Sequence, residues 1–246
     1  EMTAWRRHLH AHPELGFEER ATAAFVADKL RAFGVDQVHE HVATTGVVGV
    51  IRGRGEGRRI GLRADMDALP ITERTGAAHA STVPGRMHAC GHDGHTTMLL
   101  GAARHLAETR NFQGEVILIF QPAEEGYGGA RVMMEQGLFE RFPVDAVFGL
   151  HNWPGAAVGS FAICKGPIMA ATDTFAVTLA GRGGHAALQH TTADPVLAAA
   201  ATVQALQGVV ARNVPPKEAA VLSVTRLQGG DAFNVIPAAV EFWGTV

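Results

Sequence analysis

Four short segments of the sequence carry side chains that bind metal ions or transfer protons in other proteins. The first, residues 88–95, contains Cys90 and His92 with one glycine between them. A loop of this kind can turn a thiolate and an imidazole towards one point, and the pair suits Zn²⁺ and other borderline divalent ions. The alternative is a buried cysteine beside polar residues, Asp93 or His95, that cap the following helix.

The second segment places two adjacent carboxylates, Glu124 and Glu125, shortly after an apolar run that ends at Phe120. Neighbouring residues point to different sides, so one carboxylate can bind a cation while the other handles a proton. A solvated acidic turn is the alternative. Carboxylates beside a buried strand nevertheless cost free energy unless they have partners, which favours a functional role.

Two further segments also follow predicted strands. His151 comes directly after the apolar run 145–150, and Asp65 and Asp67 follow the run 60–63. A hydrogen-bonded structural histidine and a surface turn are the respective alternatives. The two aspartates could ligate a metal or orient ligating histidines, and we favour the orienting role for Asp67.

These four segments lie where an open α/β sheet gathers its ligands, beyond the carboxyl ends of the strands. Together they supply thiolate, imidazole and carboxylate groups for two divalent ions, which in such sites lie about 3.5–4 Å apart. Ions of this kind lower the pKa of a bound water towards about 7, and a nearby free carboxylate can then collect its proton. The set predicts a two-metal hydrolase.

The elements that must position these residues alternate between strands and helices. Apolar residues at helical spacing predict a helix over 18–33 that ends at Gly34, and helices follow over 95–107 and 129–136. Short apolar runs predict strands, and we expect a mostly parallel sheet flanked by helices, the α/β class. The runs are 47–51, 60–63, 115–120 and 145–150.

Residues 52–58, Arg-Gly-Arg-Gly-Glu-Gly-Arg, lie between two of these strands and predict a hairpin turn. A phosphate-binding loop is the sharper alternative for such glycines. It is disfavoured because the segment lacks a following helix and a Lys-Ser/Thr pair.

After about residue 165 the pattern becomes that of a small α+β domain. We place the domain boundary so that residues 1–167 form the metal-binding domain and residues 168–246 form the second domain. A proline is tolerated in the first helical turn, which allows a long helix to begin near Pro195. The predicted elements are strands at 175–179, 221–225 and 239–246 and a helix at 194–211.

Composition excludes several classes of protein. With 246 residues, 47% hydrophobic residues and a net charge of −3, the chain can fill a core but does not attract nucleic acid or anionic lipid. No secretory leader or membrane-spanning run is visible, and the two cysteines do not form a disulfide framework. We expect a cytoplasmic protein without membrane or nucleic-acid partners. Both termini read as cut, so we expect a fragment.

At this point the sequence resembles a known family, the hippurate hydrolase and auxin-conjugate hydrolase branch of the dinuclear metallo-amidohydrolases related to aminoacylase and carboxypeptidase G. Seven segments match that branch in order and nearly from end to end. They are residues 5–14, 62–70, 88–95, 120–125, 149–154, 181–185 and 233–237.

The resemblance implies roles for the chemical residues. Cys90, His92, Glu125 and His151 become ligands of two divalent metal ions, and Zn, Mn, Ni or Co would each fit such a set. Glu124 becomes the general base and acid, which takes a proton from the attacking water and passes it to the leaving amine. The implied reaction is hydrolysis of the amide bond of N-acyl amino acids, such as hippurate-like or indole-acyl conjugates.

The resemblance also implies that the second domain is a lid and a dimerisation domain, through which a homodimer can form. There His185 matches a histidine that helps to hold the oxyanion, and Asn234 matches an asparagine near the substrate carboxylate. His190 is a less supported candidate for reaching the site.

The sequence departs from the family in two places. The family's fifth metal ligand, a histidine, lies well beyond residue 246, and an arginine expected just after the Gly-Thr-Val ending is also absent. A metal-binding or dimerisation module without catalysis is therefore one alternative for this chain. A dipeptidase or a deacetylase of N-acetylated intermediates is the other alternative.

Overall fold

The computed structural model describes residues 1–246, and these divide into two compact units, Glu1–Val158 and Gly159–Val246. The boundary that we expected after residue 167 falls inside the second unit. Each unit has its own sheet, which matches the expected pair of an α/β part and a smaller α+β part. The catalytic and lid roles assigned to the two parts stay predictions.

The first unit is built on a five-stranded sheet in which the strands lie side by side in the order β1-β2-β4-β3-β5. β3 runs parallel to both β4 and β5, whereas β2 runs antiparallel to β1 and β4. The expected α/β class is confirmed, with its parallel part in β3, β4 and β5. The strands are β1 (Gln37–Val42), β2 (Gly46–Arg52), β3 (Arg59–Asp65), β4 (Glu115–Gln121) and β5 (Ala146–Gly149).

Helices cover both faces of this sheet. On one face α1, α2 and α3 pack with side chains such as Leu30 and Leu100 against Phe120 of β4, and all three are fully buried. On the other face α4 and α5 bring Met133 and Leu138 onto the same sheet. Each fully buried side chain of this size contributes roughly 1.5–3 kcal/mol. The helices are α1 (Met2–Ala11), α2 (Arg20–Ala32), α3 (His92–Thr109), α4 (Gly129–Glu135) and α5 (Leu138–Arg141).

Residues 52–58 do not form the hairpin turn that we predicted. β4 is inserted between β2 and β3, so the two strands that this segment joins are not neighbours. The segment instead pairs with the chain just before β4: Gly53 donates to the carbonyl of Gly114, and Arg54 donates to that of Phe112. The position beside β2 is occupied by β4, a strand that comes later in the chain. The local sequence of residues 52–58 contains no information about this pairing.

The last strand of the sheet also differs from expectation. We predicted a buried strand over 145–150, but all four residues of β5 are exposed, including Phe148 at 58%. β5 is an edge strand that pairs only with β3. The apolar sequence of β5 is typical of a buried strand, but its position at the edge of the sheet leaves it exposed to solvent.

The second unit contains a three-stranded antiparallel sheet in the order β6-β10-β8, with α6 packed on it. Asp194 caps α6 by accepting hydrogen bonds from the N–H groups of Val196 and Leu197. The predicted strands and helix are confirmed here, and a short pair β7–β9 is added. The elements are β6 (Thr174–Ala180), β7 (Gly184–His185), a 3-10 helix (Ala186–Thr191), α6 (Pro195–Asn213), β8 (Ser223–Gln228), β9 (Val235–Ile236) and β10 (Ala239–Thr245).

None of the helices combines the length and the apolar composition that a bilayer span requires.

Candidate metal centre

The four chemical segments meet at one edge of the first unit's sheet. Parallel pairing aligns Asp65 with Gln121 and Arg63 with Gly149, so β3, β4 and β5 end at the same edge. Asp65, Glu124 and His151 therefore leave neighbouring strands close to one another. This edge is the place where an open α/β sheet binds its ligands.

The start of α3 delivers the histidines of residues 88–95 to this edge. Gly91 precedes the helix with φ of 93°, in the left-handed region that glycine adopts readily. A side chain there would also collide with Asn152, because an added Cβ would lie 2.5 Å from its Oδ1. Steric exclusion therefore explains why a glycine stands between Cys90 and His92. The ligand atoms of these two residues lie within 4.8 Å of each other and of the ligand atom of His151.

His151 faces Cys90 through the nitrogen that can bind a metal. Its Nδ1–H donates to the carbonyl of Asn152 at 2.7 Å, so Nε2, which lies 3.4 Å from Cys90 Sγ, is the lone-pair nitrogen of the neutral ring. Histidine ligands of metals are commonly oriented by a hydrogen bond of this kind from the other ring nitrogen.

His92 has the same arrangement at the centre of the cluster. Its Nδ1–H donates to Asp67 Oδ1 at 3.3 Å, and its ring is almost completely buried. The remaining nitrogen, Nε2, is buried without any hydrogen-bond partner. A buried polar atom of this kind costs free energy, so the site is shaped for a group that accepts the Nε2 lone pair.

The two adjacent glutamates approach that unpaired nitrogen from the end of β4. Glu125 Oε1 lies 3.8 Å and Glu124 Oε2 lies 4.0 Å from His92 Nε2. The Glu125 side chain is the more buried, at 23% exposed against 43% for Glu124. The Glu125 backbone N–H also donates to Asp67 Oδ2 at 2.9 Å, so Asp67 holds both a candidate ligand histidine and the glutamate turn.

The electrostatics of the cluster favour a cation. Burial raises the pKa of the Cys90 thiol to about 11, and the negative charges of Glu125 and Asp65 add to the effect. Burial also raises the pKa of Glu125. Burial opposes the charged form of His92, but the bond to Asp67 and the charge of Asp65 outweigh it and raise its pKa. A divalent ion would offset this excess of negative charge and stabilise the thiolate.

His95 is part of the cluster but differs from His92. Its Nδ1–H donates to Asp65 Oδ1 at 2.6 Å, and its Nε2 accepts the N–H of Asn152 at 3.0 Å. Both ring nitrogens therefore have partners already, although Asp65, His92 and His95 lie close enough to form a metal-binding group. His95 thus connects Asp65, at the end of β3, to Asn152, which follows β5. His92 and His95 are one helical turn apart in the sequence. This spacing is the signal that could have identified His95 as a member of the cluster.

The alternative that Asp93 or His95 caps α3 is wrong. Neither side chain makes a cap hydrogen bond, and both lie inside the helix. Asp93 instead accepts from His10 at 2.8 Å and pairs with Arg6 at 2.7 Å, so it ties the first turn of α3 to α1.

The residues present fit the divalent ions that the sequence implies. Three groups of ligand atoms surround His92, and two of them combine the residues that the resemblance selects: Cys90 with His151, and Glu124 with Glu125. Thiolate, imidazole and carboxylate are the donor types of zinc and related ions.

The second unit holds the other two predicted residues. The register of β7 with β9 sets His185 opposite Val235, so Asn234 lies beside it in space although it is distant in sequence. The Asn234 carbonyl accepts the Ala186 N–H at 3.0 Å, and His185 Nδ1 accepts the N–H of Ala187 at 3.2 Å. Both side chains are exposed. The structure thus brings His185 and Asn234 together, and their expected roles stay predictions.

Comparison with known proteins identifies the family of this chain. Residues 61–245 match the profile of peptidase family M20/M25/M40, which is more than half of the sequence. The chain belongs to this peptidase family. The match includes every candidate metal ligand and both predicted residues of the second unit, and it confirms the resemblance drawn from the motifs.

Two curated relatives of this M20 chain are hydrolases by name. The hippurate hydrolase of Campylobacter jejuni is 50% identical over 232 residues, which are 94% of this chain and 60% of the relative. An IAA-amino acid hydrolase of Arabidopsis thaliana, ILR1-like 4, is 47% identical over 99% of this chain and 55% of its own length. The chain therefore spans less than two thirds of the length of each of these two relatives.

A solved structure supports the fold of this M20 chain. A dinuclear metal binding peptidase of the M20 family from Bacillus subtilis aligns with a TM-score of 0.73 and 39% sequence identity. The alignment covers 99% of this chain and 62% of that structure.

Proposed function

We propose that the protein hydrolyses the amide bond of N-acyl amino acids, using two divalent metal ions held by Cys90, His92, Glu125 and His151. The observation that carries the proposal is the buried, unpaired Nε2 of His92, which lies within about 4 Å of two carboxylates and belongs to the same ligand group as Cys90 and His151. The names of the relatives, a hippurate hydrolase and an IAA-amino acid hydrolase, support the substrate class.

The free ligand atoms of these side chains support the ligand set that the resemblance implies. His92 and His151 each commit Nδ1 to an acceptor of the protein and keep Nε2 available. Glu125 is the more buried glutamate and is held by Asp67 through its backbone. Bound ions would polarise the substrate carbonyl and lower the pKa of the attacking water.

Glu124 is the group that moves the proton in this proposal. Its carboxylate is partly exposed, so water and a substrate can reach it, and it lies 4.0 Å from His92 Nε2 at the edge of the ligand cluster. The carboxylate takes a proton from the attacking water and then delivers it to the leaving amine nitrogen. A positioned carboxylate of this kind accelerates such reactions by roughly a hundredfold to ten-thousandfold.

His185 and Asn234 are the proposed substrate contacts of the second unit. A protonated or N–H-bearing His185 ring can donate to the oxyanion that forms at the carbonyl, and the Asn234 amide can bind the substrate carboxylate. The local pairing of β7 with β9 supports a joint role, because it holds the two residues side by side.

The metal ions and the acyl group are the open chemical choices within this proposal. A thiolate ligand favours zinc, and manganese, nickel or cobalt fit the mixed set of thiolate, imidazole and carboxylate nearly as well.

A homodimer formed through the second unit and a cytoplasmic location are further parts of the proposal. The two open edges of the second sheet, β6 and β8, support the dimer because unpaired edge strands can pair with a second copy.

The direct test combines a metal assay with a panel of substrates. Elemental analysis of the purified chain, and of a longer form that includes the remaining length of the relatives, should find divalent metal in both. The longer form should cleave benzoyl-glycine or indole-acyl amino acids faster than acetyl-amino acids or dipeptides. Metal-free protein in both forms would refute the metal centre, and preferential cleavage of acetyl-amino acids would assign a deacetylase instead.

A further inference from the structure

Glu19 is a buried carboxylate that the proposed reaction does not use. Its side chain is completely inaccessible to solvent, and none of the ion pairs in the structure involves it. Burying a carboxylate without a cationic partner is unfavourable. The burial of Glu19 therefore requires an explanation other than the stability of its own segment.

The side chain does not serve the helix that it precedes. Glu19 occupies the N-cap position of α2, where a side-chain oxygen commonly accepts the first free N–H groups, but it makes no such bond. Glu14 performs that task instead, because its carboxylate accepts the N–H groups of Ala21 and Thr22 at 3.1 and 2.8 Å.

The Glu19 carboxylate reaches across the unit to the turn that carries the two site glutamates. Its Oε1 accepts the backbone N–H of Ala123 at 2.8 Å, and its Oε2 accepts the hydroxyl of Thr45 at 2.6 Å. Ala123 directly precedes Glu124. Two carboxylates therefore hold this turn: Glu19 accepts the N–H of Ala123, and Asp67 accepts the N–H of Glu125.

Ala123 also has a backbone that needs support. Its φ is 52°, in the left-handed region that alanine rarely adopts, and its side chain is fully buried. Unusual backbone of this kind persists only where the surrounding structure fixes it, and it is concentrated at functional sites. The bond from Ala123 to Glu19 is such a fixed point.

We infer that Glu19 is a positioning residue, which fixes the turn 122–125 and so sets Glu124 and Glu125 opposite His92. The inference rests on the proposed roles of those two glutamates. Glu19 itself touches neither substrate nor metal in this arrangement; it acts through the Ala123 N–H.

The test compares three variants of the full-length enzyme. Glu19→Met keeps the size of the side chain but cannot accept from Ala123. Glu19→Gln keeps one acceptor for that N–H, and its amide can donate to Thr45. Glu14→Met is the matched control, because it removes a carboxylate that also accepts backbone N–H groups but does not contact the turn.

Three readouts separate positioning from general stability: affinity for Co²⁺ alone, measured by its absorbance in a chelator competition, hydrogen exchange of residues 122–126, and kcat with KM. For Glu19→Met we expect about tenfold weaker Co²⁺ binding, at least about tenfold faster exchange and about tenfold lower kcat, with KM changed less. Losses of this size in metal affinity and in activity are typical of residues that orient metal ligands. Glu19→Gln should stay within about threefold of the parent in all three readouts, and Glu14→Met should lower only the thermal midpoint.

Two outcomes would overturn the inference. In the first, Glu19→Met loses only thermal stability, like Glu14→Met. In the second, Glu19→Gln is as impaired as Glu19→Met, which would make charge rather than the hydrogen bond responsible. If Glu19→Met does not accumulate, hydrogen exchange of the unsubstituted protein tests the inference instead. The Ala123 N–H should then be protected from exchange as strongly as the amides of β4. Rapid exchange of this N–H would show that the turn is not fixed and would overturn the inference.

A parallel Glu124→Gln variant separates this inference from the proposed function. Full activity in that variant would remove the general base from the proposal. The Co²⁺ affinity and the exchange of Glu19→Met would still test whether Glu19 fixes the turn.

Discussion

The strand-end cluster of the first unit and the β7–β9 pair of the second unit hold their candidate residues in different ways. The cluster comprises Asp65, Asp67, Cys90, His92, His95, Glu124, Glu125 and His151. Most of these side chains have a defined protein partner, and the central histidine is buried. In the β7–β9 pair, His185 and Asn234 are fixed by backbone pairing while their side chains stay exposed.

This difference indicates two kinds of task. A metal centre requires ligands that are already oriented, since their ordering would otherwise weaken the binding of the ion. A residue that contacts a substrate can stay solvated until the substrate arrives. We therefore expect substitutions of the metal ligands and of the residues that orient them to change metal binding, and substitutions in the β7–β9 pair to change turnover alone.

The largest expected effect is that of Glu124→Gln in the full-length protein. The amide cannot take a proton from water, so turnover should fall by at least about a hundredfold. Metal content by elemental analysis should not change, because Glu125 supplies the ligand in our proposal. Retained turnover would remove Glu124 from its role.

His185→Ala tests the other side of the comparison. Loss of a donor to the oxyanion should lower kcat by up to about a hundredfold while the metal content stays the same. Gln189→Ala is the matched control, since it removes an exposed polar side chain of the adjacent 3-10 helix to which no role is assigned. A loss of metal in His185→Ala would contradict the division of tasks between the two regions.

Cys90→Ala should weaken metal binding by more than about tenfold, because a direct ligand contributes at least as much as the residues that orient one. The affinity can be measured by chelator competition. Cys164→Ala is the control, as Cys164 is an exposed thiol of the second unit. Equal metal affinity in both variants would make Cys90 a packing residue.

Asp67→Asn should have the smallest effect, about a tenfold loss of metal affinity. The aspartate uses both oxygens, one for His92 and one for the Glu125 N–H, and an asparagine has only one oxygen. Asp145→Asn is its control, because Asp145 accepts the Arg59 N–H at the opposite end of β3. Chelator competition on both variants should show a loss only for Asp67→Asn.

The parts of the fold that depend on local pattern could be predicted from the sequence. Helical spacing and a glycine predicted the position of α2, whose C-cap residue Phe33 is followed by Gly34 with φ of 74°. An apolar run located β4, which is buried along almost its full length. Such predictions succeed because burial of an apolar face is the main force on each element.

Strand neighbours could not be predicted in this way. The hairpin expected over 52–58 is absent because β4 separates β2 from β3. Likewise, β5 has the sequence of a buried strand but lies at an exposed edge. Strand order and edge position depend on segments distant in sequence, so a short window of residues contains no information about them.

The sequence by itself determined the chemistry of this protein: one thiol, imidazoles and paired carboxylates at strand ends, in an order typical of a metallo-amidohydrolase family. Only the tertiary structure decided which atoms are available. It gave His95 two hydrogen-bond partners, left Nε2 of His92 without a hydrogen bond, and placed Glu19 where it accepts from the backbone N–H of Ala123. The physical reason is that a residue's type fixes which bonds it can form, whereas burial and long-range hydrogen bonds fix which of them it does form.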